Sequence, residues 1–305
     1  MGRGGSDVRH SEIGISPTHS HSLTYISHLS TSHDVHTQYH SLVKAKEGMM
    51  VKGIAVISFI IVLLSLPTVS SFSFQKSNER QVRRYASSST EETSQMTLPL
   101  SGKTAFITGS SGGIGKAIAS RFAKAGSDVI LHYNLREEGA TRTQEEINNA
   151  HKDAISSGRD TPGKCIGVVH ADFRDPKNVH KMFQGIVEDN RLDILINNAG
   201  IVTKLAVEDD DDDLSVWHET QAVNLHAPLQ LMRLFQKYIK SQSKGSSAVI
   251  INNSSIHGSR SVEYMQAYAA SKAALDSLTR GLALEYAQDG IRVNGIAPGV
   301  VPVER

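Results

Sequence analysis

Tyr268 and Lys272 stand four residues apart in the segment AYAASKAALDSL. On a helix that spacing puts both side chains on one face. A free phenol has a pKa of about 10, so ionising it near neutral pH costs about 4 kcal/mol. A neighbouring ammonium lowers that cost. Lys272 supplies the charge, and Tyr268 can then exchange a proton with a substrate oxygen. The same pair also arises as a plain surface pair on amphipathic helices, so the rest of the chain has to separate the two readings.

The second chemical feature is Gly109-Ser110-Ser111-Gly112-Gly113-Ile114-Gly115, between the apolar run KTAFIT and the amphipathic run IGKAIASRFAKAG. A strand that turns through glycines into a helix turns its backbone amides toward a pyrophosphate, and the helix N-terminus adds partial positive charge. A plain tight turn explains the glycines equally well when they are taken alone. Cofactor choice is set at the end of the next strand, where a carboxylate would bind the ribose hydroxyls of NAD. Here the chain runs Leu131-His132-Tyr133-Asn134-Leu135-Arg136, with no carboxylate until Glu137. Arg136 is placed to grip a 2′-phosphate. NADP is therefore the expected cofactor and NAD the alternative, in which case Arg136 is a solvated charge at a helix start.

Taken in order, these residues resemble the short-chain dehydrogenase/reductase family. Thr108-Gly109, three residues, then Gly113-Ile114-Gly115 matches its cofactor fingerprint, and the likeness runs over nearly all of residues 102 to 300. The resemblance implies a cofactor site of Thr108, Gly109, Ser111, Gly113, Ile114, Gly115 and Arg136, with Asp172 against the adenine ring. Asn197-Asn198-Ala199-Gly200 would shape the sheet edge beside the cofactor, and Pro298 and Gly299 would close the site with Tyr268 and Lys272. Ser255, thirteen residues before Tyr268, stands where the family's catalytic serine stands. Its hydroxyl would steady charge on the substrate oxygen, with Ser254 as the adjacent alternative. Asn224 matches an asparagine that in relatives holds a water in a proton relay with the lysine. Its bland reading is a buried asparagine bonded to backbone. The implied activity is hydride transfer between NADP(H) and a carbonyl or secondary alcohol, and its rival is an inactive cofactor-binding protein. Two substrate classes compete. Ser254-Ser255-Ile256-His257-Gly258 and Ala283-Leu284-Glu285-Tyr286-Ala287 resemble sugar dehydrogenases such as glucose dehydrogenase, whereas a plastid address would suit a 3-oxoacyl-carrier-protein reductase.

The elements that must position these groups are the apolar runs KTAFIT, SDVILHY, CIGVVHA, LDILINN, SAVIINN and IRVNGIAP, alternating with amphipathic segments. Short runs apolar on both faces suit a parallel sheet covered on both sides. The expected fold is α/β, a doubly wound parallel sheet of Rossmann type. The family's chains continue past Pro298-Gly299 through a substrate-covering loop, a helix and a last strand, whereas this chain ends at Arg305. The resemblance thus implies a single domain lacking its last helix and strand. It also implies a homo-oligomer for the family, in doubt for a chain so shortened.

The domain is expected over 98–305, after a Ser/His-rich disordered extension at 1–48, a signal peptide or membrane anchor at 49–71 and a linker or transit segment at 72–97. Met49 or Met50 competes with Met1 as the start, and the apolar run from Gly53 to Val69 followed by a basic, serine-rich stretch resembles a bipartite plastid presequence. A secretory or membrane-anchored protein is the alternative. Lysine plus arginine (32) nearly balance aspartate plus glutamate (31), which argues against a nucleic-acid partner and for a small-molecule substrate. No metal site is expected: the histidines of the first 48 residues are irregularly spaced, and the acidic run Glu208–Asp213 reads as a solvated loop. Cys165, the one cysteine, excludes an internal disulfide and reads as a small buried apolar residue.

Overall fold

The structure, a computed structural model, describes residues 98–204, 214–242, 247–260 and 262–301. The six apolar runs form six strands: β1 (Thr104–Ile107), β2 (Asp128–Tyr133), β3 (Cys165–His170), β4 (Ile194–Asn197), β5 (Ala248–Asn253) and β6 (Ile291–Ile296). All pair in parallel, in the order β3-β2-β1-β4-β5-β6. Because side chains alternate across a strand, each run feeds two cores. Phe106, Ile130, Leu195 and Ile250 point to one face. There they meet α3 (Pro176–Asp189), α5 (Ala227–Ser241) and α6 (Gln266–Tyr286), through Phe183, Phe235 and Tyr286 among others. Ile107, Leu131, Ile196 and Ile251 point to the opposite face, against Ile118 and Phe122 of α1 (Gly113–Lys124) and Ile147 of α2 (Glu137–Ser156).

The chain winds outward from β1 to β3, then returns through α3 to place β4 on the other side of β1. At that reversal the turns after β1 and β4 diverge to opposite faces, which leaves a crevice at the carboxyl ends of the strands. Every candidate residue lies on a carboxyl-end turn or on the helices that flank it. One helical stretch is irregular: α4 (Ser215–Gln221) passes through a π-helical turn at Ala222–His226 before α5 begins. A π turn widens the helix locally and redirects the side chain it carries, here Asn224.

Two expectations need correction. The sheet was expected to lack its last helix and strand, but α6 is a continuous helix of 21 residues and β6 pairs with β5 from Ala248↔Ile291 to Asn253↔Ile296. The membrane-spanning, plastid and secretory readings of the N-terminal segments are also withdrawn. Among the described residues no helix is long and apolar enough to cross a membrane. The segments 1–48, 49–71 and 72–97 lie outside the described residues, as does the acidic run Glu208–Asp213.

Candidate active site

The glycine turn is locked to the end of β4. Thr108 is buried, and its hydroxyl donates to the Ile196 carbonyl (3.3 Å) while accepting from the amides of Asn198 and Ala199 (2.9 Å each). Asn198 returns two bonds, from Nδ2 to the carbonyls of Thr108 (2.8 Å) and Gly109 (3.1 Å). Only glycine fits at Gly109, where φ is +64° and an added Cβ would stand 2.8 Å from the Ala199 Cα. Gly115 is equally constrained, since its Cβ would meet the Gly109 carbonyl oxygen at 2.1 Å.

A dinucleotide fits what lies in front of this turn. Gly112 precedes α1 in extended backbone, no side chain caps the first amides of the helix, and its first turn carries no acidic residue. A Cβ on Gly112 would find only Arg136 Nη1, at 3.9 Å. Uncapped amides, open space and an adjacent guanidinium together suit a phosphorylated ligand. Ser111 and Ile114 lie half-buried in the same turn, while Gly113 takes φ +53°.

Asp172, expected from the resemblance beside an adenine ring, follows β3 and is held by Arg174, which donates from Nε to both carboxylate oxygens (2.9 Å) and from Nη2 to Oδ2 (2.6 Å). The Arg174 bonds hold the Asp172 carboxyl below its usual range. Glu137 is the first carboxylate after β2 and stands near the Tyr133 phenol. Desolvation, and after it the Glu137 carboxylate, push the Tyr133 phenol upward.

On the substrate side, α6 carries Tyr268 and Lys272 one turn apart, and the Lys272 ammonium lies 5.7 Å from the Tyr268 ring centroid. Lys272 is 4% exposed and donates from Nζ to the Asn253 carbonyl (2.8 Å). Burial pulls its pKa down to about 8, and Asp276 opposes that shift. The Asn224 amide bridges both backbone groups of Ile201, accepting from its N–H (2.8 Å) and donating to its carbonyl (2.9 Å), and it donates also to Ser271 Oγ (3.2 Å). Its side chain thus fixes the Gly200-Ile201 backbone. A Cβ on Gly200 would stand 3.2 Å from Asn224 Oδ1 and 3.5 Å from Lys272 Nζ, which explains the glycine there.

The two serines divide as an extended backbone requires. Ser254 Oγ turns to the Lys272 carbonyl (3.3 Å), whereas Ser255 Oγ accepts from the His257 amide (3.2 Å) at the start of a short 3-10 turn. Pro298 receives the Ile256 amide (3.1 Å), and Gly299 packs beside Ile256, so the end of the described chain lies against the serine turn. The structure therefore brings Ser255, Tyr268, Lys272 and Asn224 to one end of the crevice, and the glycine turn, Arg136 and Asp172 to the other. Sequence reasoning missed His257, whose ring stands edge-on to Tyr268 at 6.1 Å, and His132, which donates and accepts beneath the glycine turn. A position two residues after Ser255 gave no signal for His257, since the sequence does not say which loop residue folds back on Tyr268, and a position inside an apolar strand gave none for His132. Among the described residues no cluster of His, Cys, Asp or Glu could hold a metal.

A doubly wound sheet with a glycine turn at its topological switch and a Tyr-Lys pair across the crevice defines the class of nicotinamide-dependent oxidoreductases. A family profile described as "short chain dehydrogenase" matches residues 103–304. The chain belongs to the short-chain dehydrogenase family. It is similar to 3beta-hydroxysteroid dehydrogenase 1 of Eggerthella lenta, 37% identical over 66% of this chain and 72% of the relative. It is 33% identical to glucose 1-dehydrogenase 2 of Bacillus subtilis over 67% of this chain and 74% of the relative. Among solved structures, the Pseudomonas aeruginosa RhlG/NADP active-site complex superposes with a TM-score of 0.58 at 31% identity, covering 67% of this chain and 75% of that one. The protein is accordingly an NAD(P)(H)-dependent oxidoreductase acting on carbonyl or alcohol substrates, and NADP(H) binding is typical of its fold.

Proposed function

We propose that Tyr268 exchanges the proton with the substrate oxygen, assisted by Lys272, Ser255 and Asn224, in an enzyme that prefers NADP(H) and takes a hydroxylated ring or its ketone. The observation that carries this reading is the Lys272 ammonium, buried and 5.7 Å from the Tyr268 ring centroid. A positive charge so placed favours phenolate over phenol. A nicotinamide cofactor, when bound, supplies the hydride donor or acceptor. The chain's own residues hold the proton: Tyr268 carries it, Lys272 lowers the cost of losing it, and Ser255 donates to the substrate oxygen as charge develops there. Asn224 holds the Gly200-Ile201 backbone beside Lys272.

NADP over NAD is supported by Arg136 at the mouth of the glycine turn and by the lack of a carboxylate in the sequence from Leu131 to Arg136. For the substrate, the sugar-dehydrogenase likeness is supported by His257 beside Tyr268. His257 Nδ1 lies 3.2 Å from the Arg260 carbonyl. A carbonyl only accepts, so Nδ1 carries the proton and Nε2 offers a lone pair to a substrate hydroxyl. In this reading the enzymatic domain is 98–305 and residues 1–97 precede it.

The test is a matched assay of NADPH against NADH, and NADP against NAD, with a sugar, a hydroxysteroid and a 3-oxoacyl thioester pair. The reading expects the higher kcat/KM with the phosphorylated cofactor and with the hydroxylated ring. Equal use of NAD, or turnover confined to the acyl thioester, contradicts it.

A further inference from the structure

Next to last in strand β2 stands a histidine that no part of the proposed chemistry uses. His132 is 2% exposed, and it sits under the glycine turn with each of its polar atoms engaged. The Gly109 amide donates to its Nδ1 (3.0 Å). Nδ1 is therefore the unprotonated nitrogen, so Nε2 carries the hydrogen and donates to the Ala171 carbonyl (3.1 Å). Its backbone holds the next residue of the turn: the His132 carbonyl accepts from the Ser110 amide (3.0 Å), and the His132 amide donates to Ser110 Oγ (3.0 Å). The ring stacks on Phe173 at a centroid separation of 4.3 Å and meets the edge of Phe106 at 6.5 Å, which fixes its orientation.

One neutral imidazole thus joins the first glycine of the turn to Ala171, the residue before Asp172. Those are the diphosphate wall and the adenine wall of the same crevice. We propose that His132 is a positioning residue for cofactor binding, setting the Gly109 amide and the Ala171-Asp172 backbone at a fixed separation through its Nδ1 acceptor and its Nε2 donor. This rests on reading the glycine turn as the cofactor's diphosphate site. An apolar side chain of similar size would fill the space but leave a buried N–H and a buried carbonyl unpaired. The turn would then relax toward other partners, and the cofactor would meet a crevice that has to be reset on binding.

Three variants separate packing from positioning. His132→Asn places an amide oxygen where Nδ1 stands, His132→Gln places an amide nitrogen where Nε2 stands, and His132→Leu offers neither. NADPH dissociation constants come from fluorescence titration of the full chain, with melting temperatures and steady-state rates measured in parallel. His132→Leu is expected to weaken NADPH at least about tenfold, equivalent to about 1.4 kcal/mol, while kcat at saturating cofactor stays within about twofold. His132→Asn is expected to keep more of the affinity than His132→Gln, because the bond to the turn is the one that faces the diphosphate. If His132→Leu does not fold, the Asn and Gln pair decides the matter. Equal affinity in all folded variants overturns the proposal, as does a loss of kcat without a change in NADPH affinity. A protonated Nδ1 in the nitrogen spectrum of the ring also overturns it. Gly115→Val separates the two levels of argument. If it abolishes NADPH binding while the His132 variants do not weaken it, this inference fails alone; if it leaves binding intact, the reading of the turn fails.

Discussion

The two ends of the crevice are built in opposite ways. At the cofactor end, Thr108, Asn198 and His132 tie the turn after β1 to β4, β2 and β3 through bonds between residues 23 to 91 positions apart. At the substrate end, the segment between Ser255 and Tyr268 bonds mostly to itself, Tyr264 takes a left-handed φ of +62°, and Val202, Val262, Tyr264 and Val300 are exposed. A fixed mould suits a cofactor whose diphosphate never varies. A locally bonded, apolar rim suits the part of the fold where substrates differ. Between the two stands the Lys272 and Asn224 pair, which draws on both.

The comparison can be broken at several points. The largest effect is expected from Lys272→Met, which should lower kcat by roughly 10²- to 10⁴-fold while leaving the sheet intact. The same variant changes how stability depends on pH. The lysine pKa is about 8 in the folded chain and about 10.4 unfolded. Between those values the unfolded chain binds more protons, so wild-type stability rises with pH across that window, and in the variant it should not. Chemical unfolding at pH 7.5 and 10.5 reads the difference.

Gly115→Val comes next. Its side chain would collide with the Gly109 carbonyl and with Asn198 Nδ2, both already bonded. A loss of about 3 kcal/mol or more is expected by denaturant titration, together with loss of NADPH binding.

The third effect is acid sensitivity at the cofactor end. Burial lowers the His132 pKa to about 4, and His170 adds to the shift, while the Ala171 carbonyl opposes it. The unfolded value is about 6.5, so the stability that His132 contributes is complete above pH 6.5 and is lost as pH falls toward 4. The loss is on the order of 3 kcal/mol, and His132→Asn should flatten that part of the stability profile. A smaller change, about tenfold in the ratio of NADP to NAD affinity, is expected for Arg136→Ala from loss of a charge-assisted bond. The smallest is at the rim. Val202→Ser should alter stability by no more than about 0.5 kcal/mol and act only on the KM for substrate.

The division between the two ends also explains what could be read from sequence. The glycine turn and the Tyr-Lys pair are legible because their function needs short, fixed spacings along one strand-to-helix turn and one helix. All six strands are legible because burial on both faces leaves continuous apolar runs such as AVII in β5. His132 was hidden inside such a run. Its partners, Gly109 and Ala171, are 23 and 39 residues away, and a histidine near the end of a strand carries no mark of what it touches. The π-helical turn at Asn224 is equally silent, since AVNLHAP reads as ordinary helix until packing against Ile201 and Ser271 is known. The anticipated loss of the last helix and strand failed because a count of residues after Pro298 says nothing about how completely α6 and β6 form before it.

The central claim is that Tyr268 carries the substrate's proton in a site whose cofactor end is independently built. Tyr268→Phe removes one oxygen and leaves the ring against His257 and Lys272. Measured in one preparation, NADPH affinity should stay within about twofold of wild type while kcat falls by roughly 10²-fold or more. Full turnover by Tyr268→Phe would contradict the account, because the proton would then have to be carried by another group.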